Sequence, residues 1–249
     1  MLSKSQISFI KSLHQKKFRK EHGLFIVEGL KSVTEFISSA YTIHSVFFTE
    51  PATSKMLNLS NKINSYLISD DELRKISALT NPQQALALVF IPPTRQLQAQ
   101  NFSNKLSLML DGVQDPGNLG TIIRTADWFG FDELLCSANT VDCYNPKVVQ
   151  ATMGSLSRIN VHYLDLPQLL QSTRLPVYGA LLEGENIYHT TFSDAGFVIL
   201  GNEGNGISAE TARYITHPLT IPGIGRAESL NVSVSAGIIC SEIKRKYLK

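Results

Sequence analysis

The chain has 249 residues, 43% hydrophobic and 18% charged, with a formal net charge of +2. That composition excludes a disordered segment and leaves room for one large domain or two modest ones. A charge of +2 does not by itself call for a polyanion partner, so the location of the charge matters more than its sum. Cys136, Cys143 and Cys240 have neither metal-ligand nor C-x-x-C spacing and read as reduced, buried thiols. The six histidines (14, 22, 44, 162, 189, 217) are scattered without ligand spacing, so no metal site is expected. The N-terminus has no apolar h-region, and runs such as Ala85 to Ile91 are too short to cross a bilayer. The expectation is a soluble cytoplasmic protein without a membrane partner.

In chain order, residues 3–20 carry Lys4, Lys11, Lys16, Lys17, Arg19 and Lys20 with no acid. Ile7, Ile10, Leu13 and Phe18 between them predict one basic helix, either solvated or facing phosphates. A short strand at Phe25–Glu28 ends at Gly29, and Leu30 to Ser39 is helical, with Val33, Phe36 and Ile37 on one face. Ile43 to Phe48 is a strand, and Tyr66–Ile68 another. Ser69 then caps a helix whose first turn holds Asp70, Asp71 and Glu72. Ala85 to Ile91 completes a small α/β domain, stopped by Pro92 and Pro93. The polar stretch Thr94 to Asn101 marks the interdomain connection, giving domains at 1–97 and 106–249 with a linker at 98–105. A second alternation follows, with strands at 106–110, 132–136, 159–163, 176–181 and 196–200 and a last helix at about 231–247. The chain ends in a further basic group, Lys244, Arg245, Lys246 and Lys249.

Three segments of this second half carry chemistry. In the first, Leu110-Asp111-Gly112 leads through Asp115-Pro116-Gly117-Asn118-Leu119-Gly120 into a helix bearing Arg124 one turn beyond Gly120. Arg124 is placed either to meet a phosphate or ribose oxygen or to tie down its own loop. Asp111 either contacts the site or caps the turn. Trp128 and Phe129, further along that helix, read as core or interface. In the second segment, the apolar run Phe197 to Leu200 enters Gly201-Asn202-Glu203-Gly204-Asn205-Gly206, with Ser208 capping the next helix. Its glycine order is not that of a dinucleotide site, no Lys-Ser/Thr follows as in a P-loop, and Glu203 disfavours a phosphate. In the third, the short strand Leu219 to Pro222 precedes Glu228-Ser229-Leu230-Asn231 at a helix start. Ser229 and Asn231 either cap that helix or offer hydrogen bonds to a ligand. Small residues at Ser233, Ser235, Ala236 and Gly237 permit close packing.

Taken together and in this order, the segments resemble the SpoU (TrmH-like) branch of the SPOUT methyltransferases over residues 106–249. The resemblance is carried by Asn118-Leu119-Gly120 with Arg124, by Leu200-Gly201-Asn202-Glu203-Gly204-Asn205-Gly206, and by Ile221-Pro222 with Ser229-Leu230-Asn231-Val232. The first hundred residues are similar to the small substrate-binding domain many such enzymes carry. The resemblance implies an α/β fold: a C-terminal parallel sheet tied in a deep trefoil knot, plus a small N-terminal α/β RNA-binding domain. It also explains residues 233–237 as a threaded helix in a confined space. It further implies S-adenosylmethionine as cofactor, held near Leu200, Gly201, Glu203, Gly204, Ile221, Leu230 and Asn231, and an obligate homodimer. The implied reaction is methylation of a ribose 2′-hydroxyl of RNA, ribosomal rather than transfer RNA because the shortest tRNA-modifying relatives lack an N-terminal domain. Arg124, Glu203, Ser229, Asn231 and Asn118 are the implied catalytic residues, with Glu203 and Asn231 orienting Arg124 or the ribose. A guanidinium is a poor base, so Arg124 reads as a stabiliser of alkoxide charge. The competing readings are the same chemistry on tRNA, a non-catalytic RNA-binding protein of this fold, and an ordinary doubly wound nucleotide enzyme. The last lacks the required G-x-G-x-x-G order.

Overall fold

The computed structural model describes residues 1–56, 59–60, 62–94 and 97–247, without the side chain of Lys246. Arg95 and Gln96 of the expected connection, and Lys249 and the Lys246 side chain of the basic C-terminus, lie outside the described residues. The helices and strands in chain order are α1 (Lys4–Ser12), α2 (Lys16–His22), β1 (Leu24–Glu28), α3 (Leu30–Ile37), β2 (Ile43–Phe48), α4 (Thr53–Met56), β3 (Asn64–Leu67), α5 (Asp70–Ile76) and β4 (Ala85–Phe90). Then come β5 (Leu106–Leu110), α6 (Pro116–Trp128), β6 (Glu133–Cys136), α7 (Pro146–Ala151), β7 (Asn160–Tyr163), α8 (Leu166–Gln171), β8 (Val177–Asn186), β9 (Gly196–Leu200), α9 (Ala209–Ala212), β10 (His217–Thr220) and α10 (Val232–Lys244). They form two compact units, Met1–Pro93 with Asp142–Arg158, and Thr94–Val141 with Ile159–Lys249.

In the first unit, β4 runs antiparallel to β1 and β2, and β3 is added parallel to β2, in the order β1-β4-β2-β3. Alternate residues of these strands (Leu24, Ile26, Leu86, Leu88, Phe47) pack with Ile10, Leu13, Leu73 and Ile76 of the N-terminal region and α5. Both helices are started by reciprocal caps, Ser3 with Gln6 and Ser69 with Glu72. The single basic helix expected over 3–20 is two helices, interrupted at residues 13–15. Arg19 accounts for the interruption. Only 2% exposed, it donates from Nη1 to the carbonyls of Leu13 (3.0 Å) and His14 (2.9 Å) and from Nη2 to Asp142 (2.7 Å). It thus satisfies carbonyls that a helix end leaves open and carries a buried counter-ion with it. Arg19 belongs to the interior, not to a basic surface. The segment Asp142–Arg158, which connects β6 to β7, completes this unit. α7 packs on β1, Tyr144 lies 4.6 Å from Phe25 between ring centroids, and Arg158 pairs with Glu35 at 2.5 Å.

The second unit is a six-stranded, all-parallel sheet in the order β10-β8-β9-β5-β6-β7. Five of its strands match the expected runs, and the short strand of the third segment is the sixth, at the sheet's edge. β8 runs on to Asn186, beyond the expected end at 181, with a shift of register where it meets β10. Met109, Leu135, Phe197 and Ile199 bury one face against α8 and residues 99–102, while Leu108, Leu110, Val198 and Leu200 are equally buried on the other. A sheet covered on both faces explains the continuous apolar strands. Ala99 and Phe102, within the expected linker of 98–105, are buried in this core. α10 packs against α6. Ala236 is buried there, but a Cβ added at Gly237 would meet nothing within 4 Å, so close packing within this chain does not account for that glycine.

Candidate active site

All three segments leave the carboxyl edge of the parallel sheet: the first from β5, the second from β9, the third from β10. β5 is followed in sequence by β6 on one side, while its other neighbour is β9. Strand order therefore reverses between β5 and β9, the position where parallel α/β sheets open a crevice for ligands. A cavity of about 220 Å³ lined by Lys105, Phe131, Phe192 and Lys244 lies at the opposite, amino ends of these strands and takes no part in this edge.

Two residues lock the β5 and β9 turns together. Asp111, 5% exposed, accepts from the backbone N–H (2.9 Å) and hydroxyl (2.7 Å) of Ser208, which itself caps α9. Of the two roles open to Asp111, the structure shows the turn-fixing one. Asn202 donates to the Gly112 carbonyl (2.7 Å) and accepts from Gly204 and Asn205, while its backbone exchanges two bonds with Gly206. The turn closes so tightly that a Cβ at Gly201 would overlap the backbone of Gly206 and Ile207.

Glu203 projects from this turn onto the start of α6. Its carboxylate accepts from the Asn118 side chain (3.0 Å) and the backbone N–H groups of Gln114 (3.4 Å) and Asp115 (3.3 Å). Partial burial works to raise its pKa, but the bonds from Asn118, its own N–H, Gln114 and Asp115 outweigh that and hold it below the ordinary 4.5. Asn118 turns its remaining oxygen to Asn231, whose Nδ2 donates to it at 3.0 Å. Asn231 Oδ1 caps α10, accepting from the backbone and hydroxyl of Ser233 (2.9 and 2.6 Å) and from Val234. Glu203, Asn118 and Asn231 thus form one chain of hydrogen bonds joining the three segments.

Arg124 and Ser229 stand outside this chain. Arg124 is exposed and, among the described residues, makes no hydrogen bond or ion pair, so neither Glu203 nor Asn231 orients it; what they orient is Asn118. Its loop is tied down by Asp115, which caps α6 through the Asn118 N–H (2.8 Å). Trp128, one turn further along α6, is 84% exposed and not core. Residues 222–230, including Ser229 and Leu230, are all exposed, and their backbone groups make no hydrogen bonds among the described residues. Sequence reasoning missed Asn202 and the Ser208–Asp111 bond as organisers of the site. Their signal was available only as polar residues flanking the glycine turn.

A parallel sheet with its polar loops gathered at one switch point defines an α/β enzyme domain, and comparison with known proteins identifies which. Residues 105–241 match the SpoU rRNA Methylase family, and residues 4–87 match the MRM3-like substrate binding domain. The chain belongs to the SpoU rRNA methylase family, as the three segments led us to expect. It is 33% identical over 238 residues to the 23S rRNA (guanosine(2553)-2'-O)-methyltransferase RlmP of Bacillus subtilis, covering 94% of each chain. A TrmH-family protein of Porphyromonas gingivalis superposes with a TM-score of 0.90 at 37% identity, covering 99% of both chains. An AdoMet-bound rRNA methyltransferase of Sinorhizobium meliloti superposes with a TM-score of 0.89 at 28% identity, covering 100% of this chain and 98% of that one.

Proposed function

We propose that this protein is an S-adenosylmethionine-dependent methyltransferase that modifies a ribose 2′-hydroxyl of ribosomal RNA. The observation that carries the reading is the Glu203–Asn118–Asn231 chain, which fixes three separate loops around the switch point of a SpoU-family sheet. The residues present fit an adenosyl group. The loop after β10 offers backbone donors and acceptors that have no partner among the described residues, beside apolar Ile221 and Leu230, and Gly201 keeps the neighbouring turn free of a side chain. Leu200, Gly201, Glu203, Gly204, Ile221, Leu230 and Asn231 would hold the cofactor. When bound, it supplies an electrophilic methyl group on sulfur.

The chain's own residues then have to present a ribose oxygen in line and relieve it of its proton. On α6, Arg124 is a cation with no partner among the described residues. A guanidinium is a poor base, so Arg124 serves as a stabiliser of alkoxide charge and a grip on the adjacent phosphate. Glu203 holds Asn118, Asn118 shapes the first turn against the reacting nucleotide, Asn231 keeps α10 in register with both, and Ser229 donates to substrate from the exposed loop.

The same surfaces support a homodimer. Trp128 (84% exposed), Leu230 (48%) and Val234 (49%) leave apolar area uncovered on α6, on α10 and just before it, and a second copy there would also roof Arg124. The trefoil knot is supported by the path of the chain, which must return from edge strand β10 past β8 and β9 for α10 to reach α6. The first unit would deliver the RNA through its exposed lysines 4, 11, 16, 17 and 20. No described helix is long and apolar enough to cross a membrane, and we place the enzyme in the cytoplasm with its substrate.

The test is methyl transfer to ribosomal RNA and to tRNA, each from a strain lacking this gene. Incorporation into ribosomal RNA alone supports the reading, incorporation into tRNA alone moves the substrate, and binding of RNA without heat on titration with S-adenosylmethionine leaves only a binding protein.

A further inference from the structure

Asn139 lies beyond the carboxyl end of β6, in a loop that none of the three segments includes. Its side chain is exposed yet held. Oδ1 accepts from the Ser137 hydroxyl at 2.5 Å, and that hydroxyl in turn accepts the Gly112 N–H at 2.8 Å. Thr140 Oγ1 shares the Gly112 N–H (3.2 Å) and donates to the Leu110 carbonyl (3.1 Å), so the β6 loop is bolted to the first turn of the site.

Gly112 has φ +76°, and a Cβ on it would stand 3.1 Å from Asn139 Nδ2 and 3.7 Å from Asn202 Cβ. The Asn139 amide therefore lies over a bare backbone position, with Asn202 on the other side. Among the described residues its Nδ2 has no acceptor. Immobilising an exposed side chain costs rotamer entropy with little burial to offset it. An amide fixed by its oxygen with both N–H bonds open is a donor preorganised for a ligand.

The flank on which it sits identifies the ligand. The strand order is β9-β5-β6, so the turns assigned to the cofactor follow β9 and β10 on one side of β5, and Asn139 follows β6 on the other. We propose that Asn139 contacts the RNA, donating from Nδ2 to an acceptor oxygen of the nucleotide that enters the crevice, and so sets substrate affinity without touching the cofactor. This rests on the reading of the protein as an RNA methyltransferase.

The test is steady-state methylation of ribosomal RNA from a strain lacking this gene, at saturating S-adenosylmethionine, with Asn139→Ala and Asn139→Asp. Loss of one such bond raises KM for RNA roughly tenfold, while kcat and the affinity for S-adenosylmethionine by calorimetry stay at wild-type values, and the aspartate variant, which keeps an acceptor for Ser137, also keeps the wild-type melting temperature. A phosphate acceptor makes the aspartate variant worse than alanine and more sensitive to salt, whereas a base carbonyl makes the two equal. An unchanged KM in both variants overturns the proposal, as does a KM change accompanied by weaker cofactor binding or, in the aspartate variant, by a lower melting temperature. A wild-type protein that transfers no methyl group to RNA overturns the functional reading first and this assignment with it.

Discussion

Asn231 and Asn118 meet through their side-chain amides at 3.0 Å, across 113 positions of sequence. One amide caps the last helix and the other receives it at the start of α6, where it is already bonded to Glu203. The three loops are thereby joined by residues whose partners are each other, while the exposed Arg124 makes no bond among the described residues.

Arg124→Ala should abolish methyl transfer, lowering kcat by roughly 10²–10³. Because Arg124 is exposed and makes no bond among the described residues, stability should stay within about 0.5 kcal/mol of wild type. Calorimetry should show unchanged affinity for S-adenosylmethionine. Wild-type turnover by this variant would remove Arg124 from the mechanism.

Glu203→Gln should weaken the junction of the three loops by about 1 kcal/mol, a modest figure because the carboxylate is partly solvated. Its carboxyl is held below the ordinary 4.5, so its stabilising effect is complete above that value and disappears as pH falls through the lowered one. The gap in melting temperature between wild type and Glu203→Gln should therefore be widest near neutrality and close on acidification below 4.5. A gap that widens with acid would mean the sign is wrong.

Gly201→Ala forces a methyl group into the Gly206 backbone, which cannot step aside as a flexible side chain would. The turn must open, at a cost of about 1–3 kcal/mol, and affinity for S-adenosylmethionine should fall by at least about tenfold. Cofactor binding at wild-type strength would show that the turn has no part in it.

Arg19 and the surface lysines should separate cleanly. Arg19→Ala strands Asp142 and two carbonyls, and should cost roughly 3–5 kcal/mol in thermal or urea unfolding. Lys16→Ala and Lys17→Ala should leave stability unchanged and weaken RNA binding in low salt. An Arg19→Ala protein that melts like wild type but binds RNA poorly would return Arg19 to the surface.

Much of this architecture is legible from pattern alone. Ile43–Phe48, Leu106–Leu110 and Gly196–Leu200 are largely apolar stretches of strand length, and their observed bounds match. The split of the basic helix is not legible, because no proline or glycine marks residues 13–15. The cause is Arg19 folding onto Asp142, 123 positions away. The strand expected from sequence ends at 181, yet pairing with β10 carries β8 through Glu183, Gly184 and Glu185 to Asn186. At the site, Asn118, Glu203 and Asn231 were found by motif, but the bonds joining them, and the isolation of Arg124, exist only once the strand order brings β5, β9 and β10 to one edge.

The central claim is tested most directly by supplying deuterium-labelled S-adenosylmethionine with ribosomal RNA from a strain lacking this gene, digesting to nucleosides and locating the label by mass spectrometry. The account predicts a labelled methyl on a ribose 2′-oxygen. A label on a base, with none on ribose, would contradict it.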